Sequence, residues 1–134
     1  MTGVQTCALP IYALAILRNA KTLARALMDE GVKLVTDGTD NHLMVIDTVA
    51  SFGLDGRAAE QALDRIGITT NKQIIPDDPR PPLRPSGVRL GTPACTTRGM
   101  TQDDMRRIAR WIVSTGNELS RAFWIMLRNV AFDA

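Results

Sequence analysis

One arginine in this chain sits where recognition chemistry is easy to build. Arg89 lies in the run Ser86-Gly87-Val88-Arg89-Leu90-Gly91, and Thr92-Pro93 follows at once. A guanidinium is a planar fork of N–H donors, so it can make two parallel hydrogen bonds to a carboxylate, which a lysine ammonium cannot. Glycines on both sides let backbone approach closely. Two uses suit such an arginine. It can clamp a carboxylate, or it can stand solvated on the outer face of an edge strand.

The rest of the composition narrows the chemistry by exclusion. With 134 residues, 45% of them hydrophobic and 22% charged, the chain fits one globular domain or part of one. A net charge of +2 is too small to argue for nucleic acid or a membrane surface, and 4% aromatic content makes a base-stacking platform a poor fit. No apolar run approaches the ~20 residues that span a bilayer. The single histidine, His42, and the two cysteines, Cys7 and Cys95, match no zinc spacing and no nucleophile–histidine pair. Two widely separated cysteines fit a reducing cytosol. There is no Walker loop and no GxGxxG. Most of the reacting groups of any chemistry served by Arg89 therefore lie outside this chain.

The elements that must hold Arg89 can be read from periodicity. Ile16, Ala20, Leu23 and Leu27 mark one face of a helix that Gly31 ends. Val32-Lys33-Leu34-Val35 alternates like a half-buried strand. Turn formers at 37–41 separate it from a second strand over 43–49. Asp55 caps a helix over 56–66, with Ala59, Ala62, Leu63 and Ile66 inward and Gly67 as its stop. Five of the seven prolines then fall between Pro76 and Pro85. They exclude a helix there, and Pro81-Pro82 favours a stiff extended segment. Residues 86–90 form the third strand. Thr101-Gln-Asp-Asp104 has capping-box spacing and starts a helix that buries Met105, Ile108, Ala109 and Ile112. Arg106, Arg107 and Arg110 of that helix point to solvent or to partner surfaces. Cys95 reads as a small buried filler. The fold class is α+β: about three antiparallel strands covered by helices on one face.

The two ends read differently. Residues 1–11 carry no helical or strand period and resemble a translated sequencing adapter, so they are expected to be a non-native leader. Residues 118–134 are helix-permissive. Phe123-Trp-Ile-Met-Leu127 forms an apolar block rather than a clean stripe, and it needs a partner surface.

Taken in order, five segments resemble the C-terminal small domain of the serine hydroxymethyltransferases. These are pyridoxal-phosphate enzymes of the aspartate-aminotransferase fold. The segments are Asn19-Ala-Lys-Thr-Leu-Ala24; Gly38-Thr-Asp-Asn-His-Leu43 with Asp47 after it; Ile68-Thr-Thr-Asn-Lys72; Pro76-Asp-Asp-Pro79; and Ser86-Gly-Val-Arg-Leu-Gly-Thr-Pro-Ala94 with Thr97-Arg-Gly99. The resemblance covers residues 12–111.

What the resemblance implies is specific. Arg89 matches the arginine that binds the α-carboxylate of serine or glycine and fixes the amino acid over the cofactor ring. Gln73 stands where the family usually has an asparagine against the pteridine of tetrahydrofolate. Pro81, Pro82 and Leu83 stand at a folate-side segment often reading Ser-Pro-Phe. Loop rigidity alone is the other account of these four residues. Asp40 and His42 read as turn and strand-edge hydrogen bonders. The lysine and the phosphate-binding groups for pyridoxal phosphate belong to a large domain absent here, so this chain supplies no catalytic residue and no metal site. The resemblance also implies a cytoplasmic enzyme, a homodimer or tetramer, with serine, glycine and folate as its partners and no nucleic acid or membrane. The expected organisation is a leader over 1–11, the small domain over 12–117 and a divergent tail over 118–134. The isolated chain is expected to be inactive. The alternatives are a free-standing interaction module and a truncated gene product without a role of its own.

Overall fold

The computed structural model describes residues 2–132, with side chains over 8–129. Met1, Asp133, Ala134 and the side chain of Cys7 lie outside the described residues, so the expectations for the two ends fall partly on them.

Helix α1 spans Thr2–Asp29. It starts earlier than the period from Ile16 predicts and runs through Pro10. A proline removes one donor and crowds one carbonyl, but helix-permissive neighbours on both sides carry the helix across it. Ala20, Leu23, Ala24 and Leu27 form its buried stripe. Gly31 at φ +84° then turns the chain, and the Val32 N–H returns to the Leu27 carbonyl at 3.0 Å.

The first expected strand is a correction. Val32 and Leu34 are buried and Lys33 is exposed, so the alternation is real. Only Leu34 pairs, through one bridge to Ile46, before the chain tightens into a 3-10 turn at Val35–Asp37. The third strand is supplied instead by β2, Asn71–Gln73. Strand β1 is Leu43–Asp47 and β3 is Gly87–Gly91. The sheet order is β1-β3-β2, antiparallel throughout. β3 is therefore the central strand and not an edge.

Between β1 and β2 lie two short helices, α2 at Thr48–Phe52 and α3 at Gly56–Arg65. Each starts on an aspartate. Asp47 accepts from the Ala50 N–H and Asp55 from the Ala58 N–H, both at 2.9 Å. Ala59 and Leu63 of α3 face inward as expected, but Ile66 is 50% exposed because the helix has ended at Arg65. After β3 come α4, Pro93–Thr97, and α5, Gln102–Phe132. The capping box forms: the Thr101 N–H and hydroxyl both donate to Asp104 Oδ2, at 2.8 and 3.1 Å.

The sheet has one covered face. Met44, Ile46, Val88 and Leu90 are buried beneath the helices together with Leu27, Leu34, Met105 and Ile112. α1 and α5 pack side by side and close that core. The α+β class and the one-sided helical cover are as the sequence predicts.

Candidate carboxylate site on the open face of the sheet

The antiparallel register decides what surrounds Arg89. Val45, Arg89 and Asn71 stand in one row across the three strands, and Asp47, Gly87 and Gln73 in the next. Side chains alternate faces along a strand, so these rows share the face away from the core. On β3 the positions two before and two after Arg89 are Gly87 and Gly91. Arg89 is thus the only side chain that the central strand places on this face. It is exposed and forms no ion pair among the described residues. A fork of N–H donors stands on a bare stretch of the open face, flanked by Val45 on one side and Asn71 on the other.

The bareness is enforced by packing. A Cβ at Gly87 would lie 2.7 Å from Ile75 Cγ2 and 2.8 Å from the Gln73 carbonyl oxygen. From the neighbouring helix, a Cβ at Gly56 would run into the Gly87 carbonyl itself. α3 therefore presses on the start of β3 through backbone, and the Gly56 N–H donates to the Pro85 carbonyl at 2.6 Å.

The other end of β3 is anchored as firmly. The Thr92 N–H donates to the His42 carbonyl at 3.1 Å, and its hydroxyl donates to the Ile16 carbonyl of α1 at 2.9 Å. Asn19, buried on α1, donates from Nδ2 to Thr96 Oγ1 at 3.0 Å and to the Met100 carbonyl at 3.1 Å. The strand carrying Arg89 is held between α3 and α1, which suits a positioning arginine.

The proline loop is organised by a residue whose role the sequence analysis leaves unassigned. Asp78 accepts from the Ser86 N–H at 2.8 Å, the Ser86 hydroxyl at 2.7 Å, the Arg80 N–H at 3.0 Å and the Ile75 N–H at 3.3 Å. One carboxylate thus joins the exit of β2 to the entry of β3. Its partial burial acts to raise the pKa, but the donors from Ser86, Arg80 and Ile75 outweigh that and bring it from 3.8 to about 2. The signal available in the sequence is the Pro76-Asp-Asp-Pro79 run, where an aspartate in a turn offers acceptors to nearby backbone donors.

The residues singled out from the sequence are only partly brought together. Gln73 shares the open face with Arg89, one row away; its Nε2 donates to the Ile74 carbonyl at 3.1 Å, and its Oε1 has no donor among the described residues. Pro81, Pro82 and Leu83 form the outer turn of the loop, closed by the Arg84 N–H to the Pro81 carbonyl at 2.9 Å, and Leu83 is 73% exposed. Among the described residues no hydrogen bond joins these three to Arg89 or Gln73. His42 contributes through its backbone, while the 38–43 turn closes on itself through Thr39 and Asn41. Cys95 is half-buried and lines a cleft of about 310 Å³ with Met105 and Trp111, away from the Arg89 face. Asn71, directly opposite Arg89, is the neighbour that the sequence analysis does not single out as a site residue. Among the described residues no cluster suits a metal ion, and no helix is long and apolar enough to cross a membrane.

The chain is thus a one-sided, three-stranded α+β unit with an exposed, unpaired arginine on the open face of its sheet. The serine hydroxymethyltransferase family model matches residues 4–112. A serine hydroxymethyltransferase of Acidobacterium capsulatum is 54% identical over 103 residues, which is 77% of this chain and 24% of that protein. Those of Rhodopirellula baltica and Koribacter versatilis are 50% and 51% identical over 83% and 78% of this chain. The chain belongs to the serine hydroxymethyltransferase family, and it spans about a quarter of the length of the curated relatives it matches.

Proposed function

We propose that this chain is the substrate-carboxylate arm, and one wall of the folate site, of an enzyme that interconverts serine and glycine. That enzyme moves the one-carbon unit to or from tetrahydrofolate. The observation that carries the reading is Arg89, unpaired on a central strand whose flanking positions are glycine. Serine and glycine share only the amino and carboxylate groups. A clamp on the carboxylate therefore holds either one in the same place and leaves the Cα substituents free to react. A charge-assisted, bidentate contact is worth about 1.5–3 kcal/mol per hydrogen bond. Its greater effect is positional, because a reactant held in near-attack geometry has already lost the freedom that opposes reaction.

Pyridoxal phosphate supplies the electron sink in this chemistry, and the residues of this chain do not fit it. It requires an available lysine and a phosphate cradle. Lys33 is paired with Asp37, Lys72 faces away from Arg89 beside Glu60, and Lys21 belongs to α1. The N-termini of α2, α3 and α5 carry Asp47, Asp55 and Asp104, whose carboxylates repel a phosphate. The cofactor site accordingly belongs to the part of the enzyme that this chain does not span.

Support for the folate wall is the placement of Gln73 on the Arg89 face with an amide acceptor to offer, and the exposed apolar turn at Pro81, Pro82 and Leu83. A homodimeric or tetrameric cytoplasmic enzyme belongs to the same reading.

The test is a chimera in which residues 12–112 replace the matched segment of the Acidobacterium capsulatum relative. The chimera is expected to cleave serine in the presence of tetrahydrofolate. The chain alone is expected to give no borohydride-trapped pyridoxyl-lysine and no turnover. An inactive but folded, cofactor-loaded chimera would contradict the reading. So would a specific adduct and serine cleavage by the chain alone.

A further inference from the structure

The chain contains two aspartyl-glycyl pairs, Asp37-Gly38 and Asp55-Gly56. Such a pair can cyclise, because a glycine puts no side chain in the way of its own backbone nitrogen. The two pairs have the same chemistry and opposite surroundings. At the second pair every reacting group is occupied. The Asp55 side chain is only 15% exposed, its Oδ1 accepts from the Ala58 N–H, and Arg84 Nη1 stands 3.9 Å from its Oδ2. The Gly56 N–H donates to the Pro85 carbonyl at 2.6 Å, and the Gly87 carbonyl fills the space beside its Cα.

At the first pair the same groups are free. The Asp37 side chain is 76% exposed, and its one side-chain partner among the described residues is Lys33 Nζ, 2.8 Å from Oδ1 and itself on a side chain that is 55% exposed. An ion pair so open to water holds its partners weakly. The Gly38 N–H makes no well-formed hydrogen bond among the described residues. A Cβ built at Gly38 would meet nothing within 4 Å, so there is room for a ring to close. The backbone adds strain. Thr36 at φ +66° and Asp37 at φ +53° are consecutive non-glycine residues in the left-handed region, where a β-branched threonine is an outlier.

We infer that Asp37 is a site of spontaneous backbone modification, its conversion to isoaspartate, and that the fold protects Asp55 from the same reaction. The Gly38 nitrogen bonds to Asp37 Cγ. The amide proton, one carboxylate oxygen and a proton from solvent leave together as water, and a five-membered succinimide remains. Water then adds to either carbonyl of the ring. Opening on one side restores aspartate, and opening on the other routes the chain through Cβ and Cγ and leaves the former backbone carboxyl free. No oxidant, reductant or cofactor takes part. Residue 37 then no longer has to hold a left-handed φ. The inserted methylene falls between Leu34, which bridges to Ile46, and Leu43, whose carbonyl accepts from the Thr39 hydroxyl. The modification therefore alters the entry to β1. It is independent of what Arg89 binds.

Incubation of the purified chain near neutral pH, folded and in denaturant, tests the assignment. Isoaspartate is read by methyl transfer from S-adenosylmethionine with an isoaspartate methyltransferase, and located by electron-transfer fragmentation of the tryptic peptide 34–57, which holds both sites. In the folded chain Asp37 is expected to convert about tenfold or more faster than Asp55, and in denaturant the two rates should agree within about threefold. Asp37→Glu keeps a carboxylate opposite Lys33 but must close a six-membered ring, so it should lose most of the methyl acceptance of the folded chain. The comparison of two sites within one peptide stands whether or not that variant keeps its fold. Equal rates at Asp37 and Asp55 in the folded chain, or isoaspartate at neither, would overturn the proposal. So would the same bias in denaturant, or full methyl acceptance in a folded Asp37→Glu chain.

Discussion

Asp78 holds donors from three residues with one carboxylate, and this makes it the most pH-sensitive point of the Arg89 support. Its folded pKa of about 2 lies below the ordinary 3.8, so between these values the unfolded chain binds more protons than the folded one. Stability then rises with pH across that window. The contribution is fully present above the unfolded value and is lost as pH falls through about 2. Thermal unfolding followed between these two pH values should show a slope in the wild type that is reduced in Asp78→Ala. Equal slopes would mean that the carboxylate does not hold the loop. The legibility of such residues differs. Arg89 could be picked out because glycines bracket it in sequence. Asp78 could not be ranked above Asp77, because which of two adjacent aspartates meets Ser86 depends on how a loop returns eight residues later.

The strand and helix elements show how tertiary packing overrides local preference. Asp55, Asp104 and Gly31 were legible because caps act within a few residues. The identity of the third strand was not. Val32-Lys-Leu-Val has the better strand composition, yet Asn71-Lys-Gln pairs with β3 because the chain delivers it beside Arg89, while the first segment turns away after one bridge. The same principle gives a prediction for Gly56. Alanine within a helix is ordinarily favoured over glycine by about 1 kcal/mol. Here its methyl would meet the Gly87 carbonyl, which is backbone and cannot rotate away. Gly56→Ala is therefore expected to destabilise the domain, by about 3 kcal/mol. Gly116→Ala, whose methyl meets the Phe52 ring, should cost less because a side chain can yield. Denaturant unfolding of both variants checks the ranking. A Gly56→Ala protein as stable as the wild type would show that α3 does not press on β3 as described.

The whole molecule divides into a supported body and a helical overhang. In the body, a sheet with one covered face leaves the other for a ligand or for the rest of a larger enzyme. That was legible from the order of elements. The overhang is the end of α5, where the apolar block from Phe123 to Leu127 stands exposed. In a chain that spans about a quarter of the length of the relatives it matches, we propose an anchor for substrate and no cradle for cofactor. The central claim is that Arg89 is that anchor. Steady-state kinetics of the chimera with Arg89→Lys measures it most directly. A lysine keeps the charge and loses the fork, so kcat/KM for serine is expected to fall by about a hundredfold or more, while the bound cofactor keeps its absorbance. A kcat/KM within about threefold of the unsubstituted chimera would show that Arg89 does not hold the carboxylate.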